Sequence, residues 1–167
     1  NISDFKSALE KDQIKFPCIW KKTKFGYDGF GVKILNSIND VNDLPETEMI
    51  IEDLVQFEKE LSVIVSRNVS GEIKSFETVE MEFNSNSNQV EFVISPAKIS
   101  KKINNYAKEL AVKISESLDC VGLLAVEMFL IGDEILVNEV APRPHNSGHF
   151  SIEACKSSQF QQHIRSI

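Results

Sequence analysis

Cysteines, long apolar runs and an excess of positive charge are all scarce in this sequence, and each scarcity argues against a class of protein. The cysteines, Cys18, Cys120 and Cys155, are far apart and form no C-x-x-C pair, so neither a disulfide framework nor a zinc site is expected. No apolar run approaches the roughly 20 residues that span a bilayer, and no signal peptide is visible. The formal charge of −7 argues against a nucleic-acid-binding protein. We therefore expect a cytoplasmic protein with no membrane and no nucleic-acid partner.

The apolar residues that are present predict a mixed fold dominated by hairpins. The chain has 167 residues and is 42% hydrophobic, which suits one domain or two small lobes. Alternating or continuous apolar segments bounded by turn residues predict strands over 16–23, 32–35, 49–52, 57–67, 73–83, 90–95, 121–131 and 134–140. Helical spacing predicts helices over 2–11 and 99–118, and one more in the tail from Ser151. This pattern favours an α+β fold with antiparallel sheets.

A lysine on a predicted strand precedes a glycine-rich loop. Lys21 is followed by Gly26-Tyr27-Asp28-Gly29-Phe30-Gly31. Three glycines in these six residues let backbone N–H groups approach an anion without interference from Cβ atoms, and the lysine ammonium suits a phosphate. The pattern is neither a P-loop nor a dinucleotide fingerprint. Taken alone, the motif fits a glycine-rich hairpin turn with a surface lysine somewhat better.

An acidic strand end follows, at Glu52-Asp53-Leu54-Val55, with Glu60 eight residues after Glu52. Backbone groups at a strand end can pair with the edge of an adenine, and a nearby carboxylate can accept hydrogen bonds from ribose hydroxyls. Two solvated acidic residues are the simpler interpretation when this motif is considered alone.

Two glutamates interrupt otherwise apolar strands on either side of a predicted turn at Gly132-Asp133. Pairing about that turn sets Glu127 and Glu139 close to opposite each other. Two facing carboxylates repel and are costly to bury, and a Mg²⁺ ion removes that cost. The alternative is that each glutamate pairs separately with a lysine or an arginine.

The loop directly after Glu139 concentrates polar groups. Pro142-Arg143-Pro144-His145-Asn146-Ser147-Gly148-His149 holds a guanidinium, two imidazoles, an amide and a hydroxyl. Arginine can hold phosphate or a carboxylate-like anion through two parallel hydrogen bonds, and histidine can bind substrate or move a proton near neutral pH. The alternative is a polar loop with structural caps.

The four motifs, in this order, resemble the ATP-grasp superfamily: a lysine, a glycine-rich lid, an adenine hinge and two metal-binding glutamates. Within it, the chain resembles the N5-carboxyaminoimidazole ribonucleotide synthetases and the related eukaryotic phosphoribosylaminoimidazole carboxylases. The resemblance covers nearly the whole chain and rests on Lys21…Gly26-Tyr-Asp-Gly-x-Gly, Leu61-Ser-Val-Ile-Val, Ser95-Pro-Ala-Lys, Val137-Asn-Glu-x-Ala-Pro-Arg-Pro-His-Asn-Ser-Gly-His and Ser158-Gln-Phe.

The resemblance implies an ATP-grasp fold and a role for each motif. Residues 1–56 would form a small lobe with the lid, and residues 57–167 a large lobe with the metal site. The chain would be a fragment that lacks the N-terminal and C-terminal domains of the full enzyme and is inactive alone. The implied ATP-binding residues are Lys21, Gly26, Tyr27, Asp28, Gly29, Phe30, Gly31, Val32, Glu52, Asp53, Leu54, Val55, Glu60, Asn138 and Glu139, and Glu127 and Glu139 would bind Mg²⁺. The residues that would face the reacting groups are Arg143, His145, Asn146, Ser147 and His149.

The implied reaction is the ATP-dependent carboxylation of 5-aminoimidazole ribonucleotide by bicarbonate, through carboxyphosphate, in purine biosynthesis. The partners are then ATP, bicarbonate and the ribonucleotide, and a homodimer of the full enzyme is left open. Three residues depart from the family pattern: Phe25 replaces a glycine, Val32 a glutamine, and Phe83 stands near an expected histidine. Two alternatives are another ATP-grasp carboxylating or formyl-transferring ligase and a non-catalytic ATP-binding module.

Overall fold

The computed structural model describes residues 1–24, 31–84 and 89–167, and the chain divides into two compact units. The first unit covers Asn1–Gln56, and the second covers Phe57–Asn84 and Val90–Ile167. Their roles as a small and a large lobe stay a prediction. The predicted lid residues Gly26, Tyr27, Asp28, Gly29 and Phe30, and the departure Phe25, lie outside the described residues. Within the described ranges, every helix is too short or too polar to cross a bilayer.

The first unit is a three-stranded antiparallel sheet with two helices. Its elements are α1 (Ile2–Glu10), β1 (Cys18–Lys22), β2 (Val32–Leu35), α2 (Ile38–Val41) and β3 (Met49–Asp53). The strand order is β2-β1-β3, so β1 is central. Alternation along β1 buries Cys18 and Trp20 in a core with Phe5 and Leu35, which leaves Ile19 and Lys21 on the opposite face.

The second unit contains one antiparallel sheet. Its strands are β4 (Lys59–Arg67), β5 (Ile73–Ser75), β6 (Val79–Phe83), β7 (Val90–Ile94), β8 (Gly122–Ile131) and β9 (Glu134–Ala141). The order is β7-β6-β4-β8-β9, and β5 also pairs with β4. Its helical elements are α3 (Lys101–Ser117), a 3₁₀ turn (Asn146–Gly148), α4 (Ser151–Ala154) and α5 (Gln159–Ser166).

The two faces of this second sheet have different chemistry. Because side chains alternate along a strand, Leu61, Val63 and Val65 of β4 share one face with Leu124, Val126 and Met128 of β8. This face packs against α3 and forms the main apolar core. The opposite face carries Ser62, Ser66 and Glu127, and α5 and the 3₁₀ turn pack near it. The face that carries Glu127 therefore combines buried polar groups with a small apolar cluster, whereas α3 covers the main apolar core.

The prediction of an α+β fold with antiparallel sheets is confirmed, and two predicted elements are wrong in detail. The single strand predicted over 73–83 is two strands, because the pairing with β4 shifts by one residue between Val65↔Ser75 and Ser62↔Val79. The single tail helix is also two helices. Cys155 adopts an extended conformation that ends α4. The chain re-enters a helix at Ser158, whose Oγ accepts a hydrogen bond from the N–H of Gln161 at 3.2 Å.

Candidate functional site

The β8–β9 hairpin places two glutamates opposite each other by means of a bulge. Near the turn the register pairs Ile131 with Glu134 and Met128 with Val137. It then shifts by one residue, so Asn138 is the extra residue and Glu139 lies opposite Glu127. In an unbulged hairpin Glu127 would face Asn138 instead. The predicted pairing of the two glutamates is confirmed, although the turn alone does not produce it.

The two glutamates differ in exposure. Glu127 is 9% exposed, whereas Glu139 is an exposed residue. Directly opposed residues on antiparallel strands point to the same side of the sheet, so two carboxylates share one face here. Mg²⁺ prefers oxygen ligands and is commonly held by one or two carboxylates together with phosphate oxygens and water. Residues 1–24, 31–84 and 89–167 contain no group of three or more histidine, cysteine, aspartate or glutamate side chains that could hold a metal. A cation bound to Glu127 and Glu139 would therefore need further ligands of another kind, such as phosphate oxygens or water.

Glu127 ends a chain of buried hydrogen bonds. Its Oε1 lies 2.8 Å from Nε2 of His145. Nδ1 of the same ring lies 2.9 Å from Oγ of Ser147 and 3.3 Å from the backbone nitrogen of Ser147. Oγ of Ser147 lies in turn 2.9 Å from Oγ of Ser62 on β4. This series of hydrogen bonds fixes the position of one carboxylate oxygen of Glu127.

The backbone contact settles where the proton of His145 lies. A backbone N–H can only donate, so Nδ1 of His145 accepts from Ser147 and the ring proton is on Nε2, facing Glu127. The ring thus orients the carboxylate of Glu127 through a hydrogen bond from Nε2. In this contact Glu127 pairs with a histidine rather than with a lysine or an arginine.

The loop that follows β9 has an inner and an outer set of side chains. His145 and Ser147 are buried, whereas Arg143, Asn146 and His149 are exposed. All five were predicted to face the reacting groups. The structure gives His145 and Ser147 inward contacts with the sheet, and the contacts of the five residues with a ligand stay a prediction.

Gln159, the first residue of α5, anchors the loop after β9 through two hydrogen bonds to the backbone of His145. Its Oε1 accepts from the backbone N–H of His145 at 2.8 Å, and its Nε2 donates to the carbonyl of the same residue at 2.8 Å. Sequence reasoning selected neither Gln159 nor Ser62 as site residues. The only sequence signal for Gln159 was the Ser158-Gln-Phe motif, and that motif did not indicate which residues Gln159 contacts.

In the first unit, Lys21 forms an ion pair within the sheet. Its Nζ lies 2.7 Å from Oε2 of Glu52, and the two side chains are 20% and 39% exposed. Sequence reasoning assigned the backbone of Glu52 to adenine, so the engagement of its carboxylate with Lys21 was missed. Asp53 is exposed, and Leu54 and Val55 are half-buried. In the second unit Glu60 is half-buried on β4, and Phe83 is exposed at the end of β6.

A buried thiol lies beside the strand end that carries Glu52. Cys18 is opposite Asp53 in the β1–β3 register. Burial raises the pKa of the Cys18 thiol, and the negative charge of Asp53 adds to the effect. A thiol held neutral in this way is a packing residue rather than a nucleophile.

Comparisons with known proteins agree on one family. The model of the ATP-grasp domain family matches residues 2–160. N5-carboxyaminoimidazole ribonucleotide synthase of Bacillus subtilis is 43% identical over 171 aligned residues, which cover 99% of this chain. Two solved structures of carboxyaminoimidazole ribonucleotide synthase from Aspergillus clavatus also resemble it. The complex with ATP has a TM-score of 0.91 at 35% identity, and the complex with ADP and 5-aminoimidazole ribonucleotide a TM-score of 0.87 at 34% identity.

The similarity covers all of this chain but only part of each relative. Each of the two fungal structures is matched along 100% of this chain, yet the chain spans 44% of those proteins and 44% of the Bacillus subtilis relative.

Proposed function

The chain belongs to the ATP-grasp family, and from that premise we propose that it supplies the ATP-binding part of a ligase that carboxylates 5-aminoimidazole ribonucleotide with bicarbonate. The relatives named above are synthases of this type, and one fungal structure holds ADP together with the ribonucleotide. The chain spans less than half of those proteins, so the activity belongs to the complete gene product.

The observation that carries the proposal is the opposed pair Glu127 and Glu139. The bulge at Asn138 sets the two carboxylates on one face, and His145 orients one of them. This donor set fits Mg²⁺, which supplies charge neutralisation for a triphosphate when it is bound. Asn138 and Glu139 would then lie at the junction of metal and nucleotide.

The proposed reaction has two steps. An oxygen of bicarbonate attacks the γ-phosphorus of ATP, the bond to the β-phosphate oxygen breaks, and ADP leaves with its electron pair. The amine of the ribonucleotide then attacks the carboxyl carbon of carboxyphosphate, phosphate leaves, and the amine nitrogen loses a proton. Phosphoryl transfer of this kind requires positioning and charge stabilisation more than covalent help from the protein.

Positive and hydrogen-bonding groups of this chain would serve both steps. Lys21 would exchange its contact with Glu52 for a phosphate oxygen, which a partly exposed ion pair permits at modest cost. Arg143 is exposed and has the geometry to hold an anion through two bonds. The lid residues 26–31 would exclude water from the labile intermediate.

The test is ADP release by the complete gene product, with and without bicarbonate and the ribonucleotide. We expect release to need both, and we expect Glu139→Ala to lower kcat by about 10²-fold or more, since charge stabilisation by a metal contributes several kcal/mol. Glu134→Ala, on the same strand but at the exposed turn, is the matched control and should leave turnover unchanged.

Other results would point to the alternatives. Wild-type turnover in Glu139→Ala contradicts the metal assignment. Magnesium-dependent ATP binding without bicarbonate-stimulated ADP release would indicate a non-catalytic module. Turnover that requires a different acceptor in a substrate panel would indicate another ligase of the family.

A further inference from the structure

We propose that Gln159 is a positioning residue that fixes which nitrogen of His149 carries the proton, and thereby presents Nε2–H of His149 as a donor to an anionic oxygen of the substrate. The statement about the proton rests on contacts within the second unit alone. Only the identity of the ligand that meets His149 rests on the proposed function.

The orientation of the Gln159 amide follows from its backbone partners. The N–H of His145 can only donate, so the atom it meets at 2.8 Å is Oε1 of Gln159. The carbonyl of His145 can only accept, so the atom it meets at 2.8 Å is Nε2 of Gln159. The two contacts agree with each other, so the usual ambiguity between amide oxygen and nitrogen does not arise.

The same amide nitrogen then determines the state of His149. Nε2 of Gln159 lies 3.2 Å from Nδ1 of His149. An amide NH₂ has two hydrogens and no acceptor, and the first hydrogen is used by the carbonyl of His145. The second hydrogen can only meet a ring nitrogen that accepts, so the proton of a neutral His149 is on Nε2.

Several contacts restrain the position of Gln159. Its side chain is fully buried, and its backbone N–H donates to Oγ of Ser151 at 2.8 Å. Oγ of Ser151 donates to the carbonyl of Gly148. A Cβ at Gly148 would lie 2.6 Å from Oε1 of Gln159, so only glycine lets the amide approach the loop this closely. The donor to His149 therefore has little freedom to move away.

One edge of the His149 ring contacts Gln159. The ring stacks on Phe160, with ring centroids 6.0 Å apart and 17° between the planes, while the residue as a whole is exposed. With Nδ1 engaged by Gln159, the opposite edge presents Nε2–H. An N–H donor at a fixed position suits a phosphate, a bicarbonate or a carboxyphosphate oxygen.

The direct test is the tautomer of His149 in the wild-type protein, measured by long-range ¹H–¹⁵N correlation at about pH 8.5, where imidazoles are neutral. The chain has three histidines, so each ring can be assigned from one His→Gln variant. We expect His149 to carry its proton on Nε2. A proton on Nδ1, or an even mixture, would overturn the proposal without any ligand or activity being involved.

Two isosteric variants extend the test to function. In Gln159→Glu an oxygen replaces the amide nitrogen, so we expect the proton of His149 to move to Nδ1 and the KM for bicarbonate or the ribonucleotide to rise by about tenfold. The KM for ATP should change less than twofold. Gln162→Glu, on the same helix, makes the same chemical change away from the loop and should leave the tautomer and every KM unchanged.

The outcomes separate this proposal from the proposed function. A Gln159→Glu protein that keeps the Nε2–H tautomer, or loses kcat with all KM values unchanged, sinks the positioning role. If the complete gene product carboxylates nothing, the proposed function fails, while the wild-type tautomer still decides the role of Gln159. Should Gln159→Glu not fold, that same wild-type measurement decides.

Discussion

The two units use their polar side chains in opposite ways. In the first unit, Lys21 and Glu52 form an ion pair whose side chains are 20% and 39% exposed. In the second, Glu127 and His145 pair at side-chain exposures of 11% and 8%, and the contact continues through two serines. Under the proposed function the first arrangement would be exchanged for a contact with a ligand, whereas the second is already formed within the second unit.

The difference has an energetic basis. An exposed ion pair contributes about 0–1 kcal/mol, because water and side-chain entropy oppose it. A buried polar group that loses its partner costs about 1–3 kcal/mol, so each member of a buried network depends on the others. Substitutions within the buried network of the second unit should therefore cost more stability than substitution of the partly exposed ion pair in the first unit.

The largest effect is expected at Gly148, where the loop meets the sheet. A Cβ there would lie 2.5 Å from Cδ1 of Ile64 and 2.6 Å from Oε1 of Gln159, and both neighbours are buried. We expect Gly148→Ala to lower the free energy of unfolding by about 1–3 kcal/mol in urea titrations. Adding Ile64→Val removes Cδ1 and should restore part of the loss. Strict additivity of the two changes would contradict this explanation.

Two serines on β4 provide a matched pair for the next effect. Ser62 and Ser66 are both buried, but Oγ of Ser62 contacts Ser147, whereas Oγ of Ser66 has no hydrogen-bond partner in the described part of the chain. We expect Ser62→Ala to cost about 1 kcal/mol and Ser66→Ala to be neutral or slightly stabilising. Equal losses in urea titrations would show that the network adds nothing beyond packing.

A smaller effect on stability is expected at Lys21. Lys21→Met should change the free energy of unfolding by no more than about 1 kcal/mol, because the ion pair that it removes is partly exposed. Magnesium–ATP binding, followed by calorimetry, should nevertheless weaken. Lys33→Met, on the neighbouring strand of the same sheet, is the control and should leave binding unchanged. Similar binding by both variants would remove Lys21 from the nucleotide site.

Features that are encoded within one short segment of the sequence could be predicted. The hairpin turn at Gly132 places Glu127 near Glu139 within one short segment, so counting residues brings the pair together. The bulge that completes the pairing changes the register by one residue and has no clear sequence signal. The Ser158-x-x-Gln161 capping pattern is local, and it could have divided the tail helix correctly.

Contacts between distant segments could not be predicted in the same way. Ser62 and Ser147 are 85 residues apart, and Gln159 reaches a loop 14 residues before it. These contacts depend on how the segment after β9 folds back over β4 and β8, which no periodicity within either segment encodes. The sequence therefore located the polar loop but not the residues that hold it in place.

The smallest effect is expected at Asp40 in the first unit, and it depends on pH. The carboxylate accepts hydrogen bonds from the backbone N–H groups of Asn36 and Ser37, at 2.8 and 2.9 Å, and these bonds hold the pKa of Asp40 below its ordinary value of 3.8. A carboxyl whose pKa is lower in the folded state stabilises the fold above its unfolded pKa and loses that contribution as the pH falls through its folded pKa. Asp40→Asn should therefore be less stable than wild type near neutral pH, with the gap closing below about pH 4. A gap that stays constant down to pH 2 would mean that the carboxylate acts only by filling space, and the first unit would then hold no charge-dependent contact at this turn.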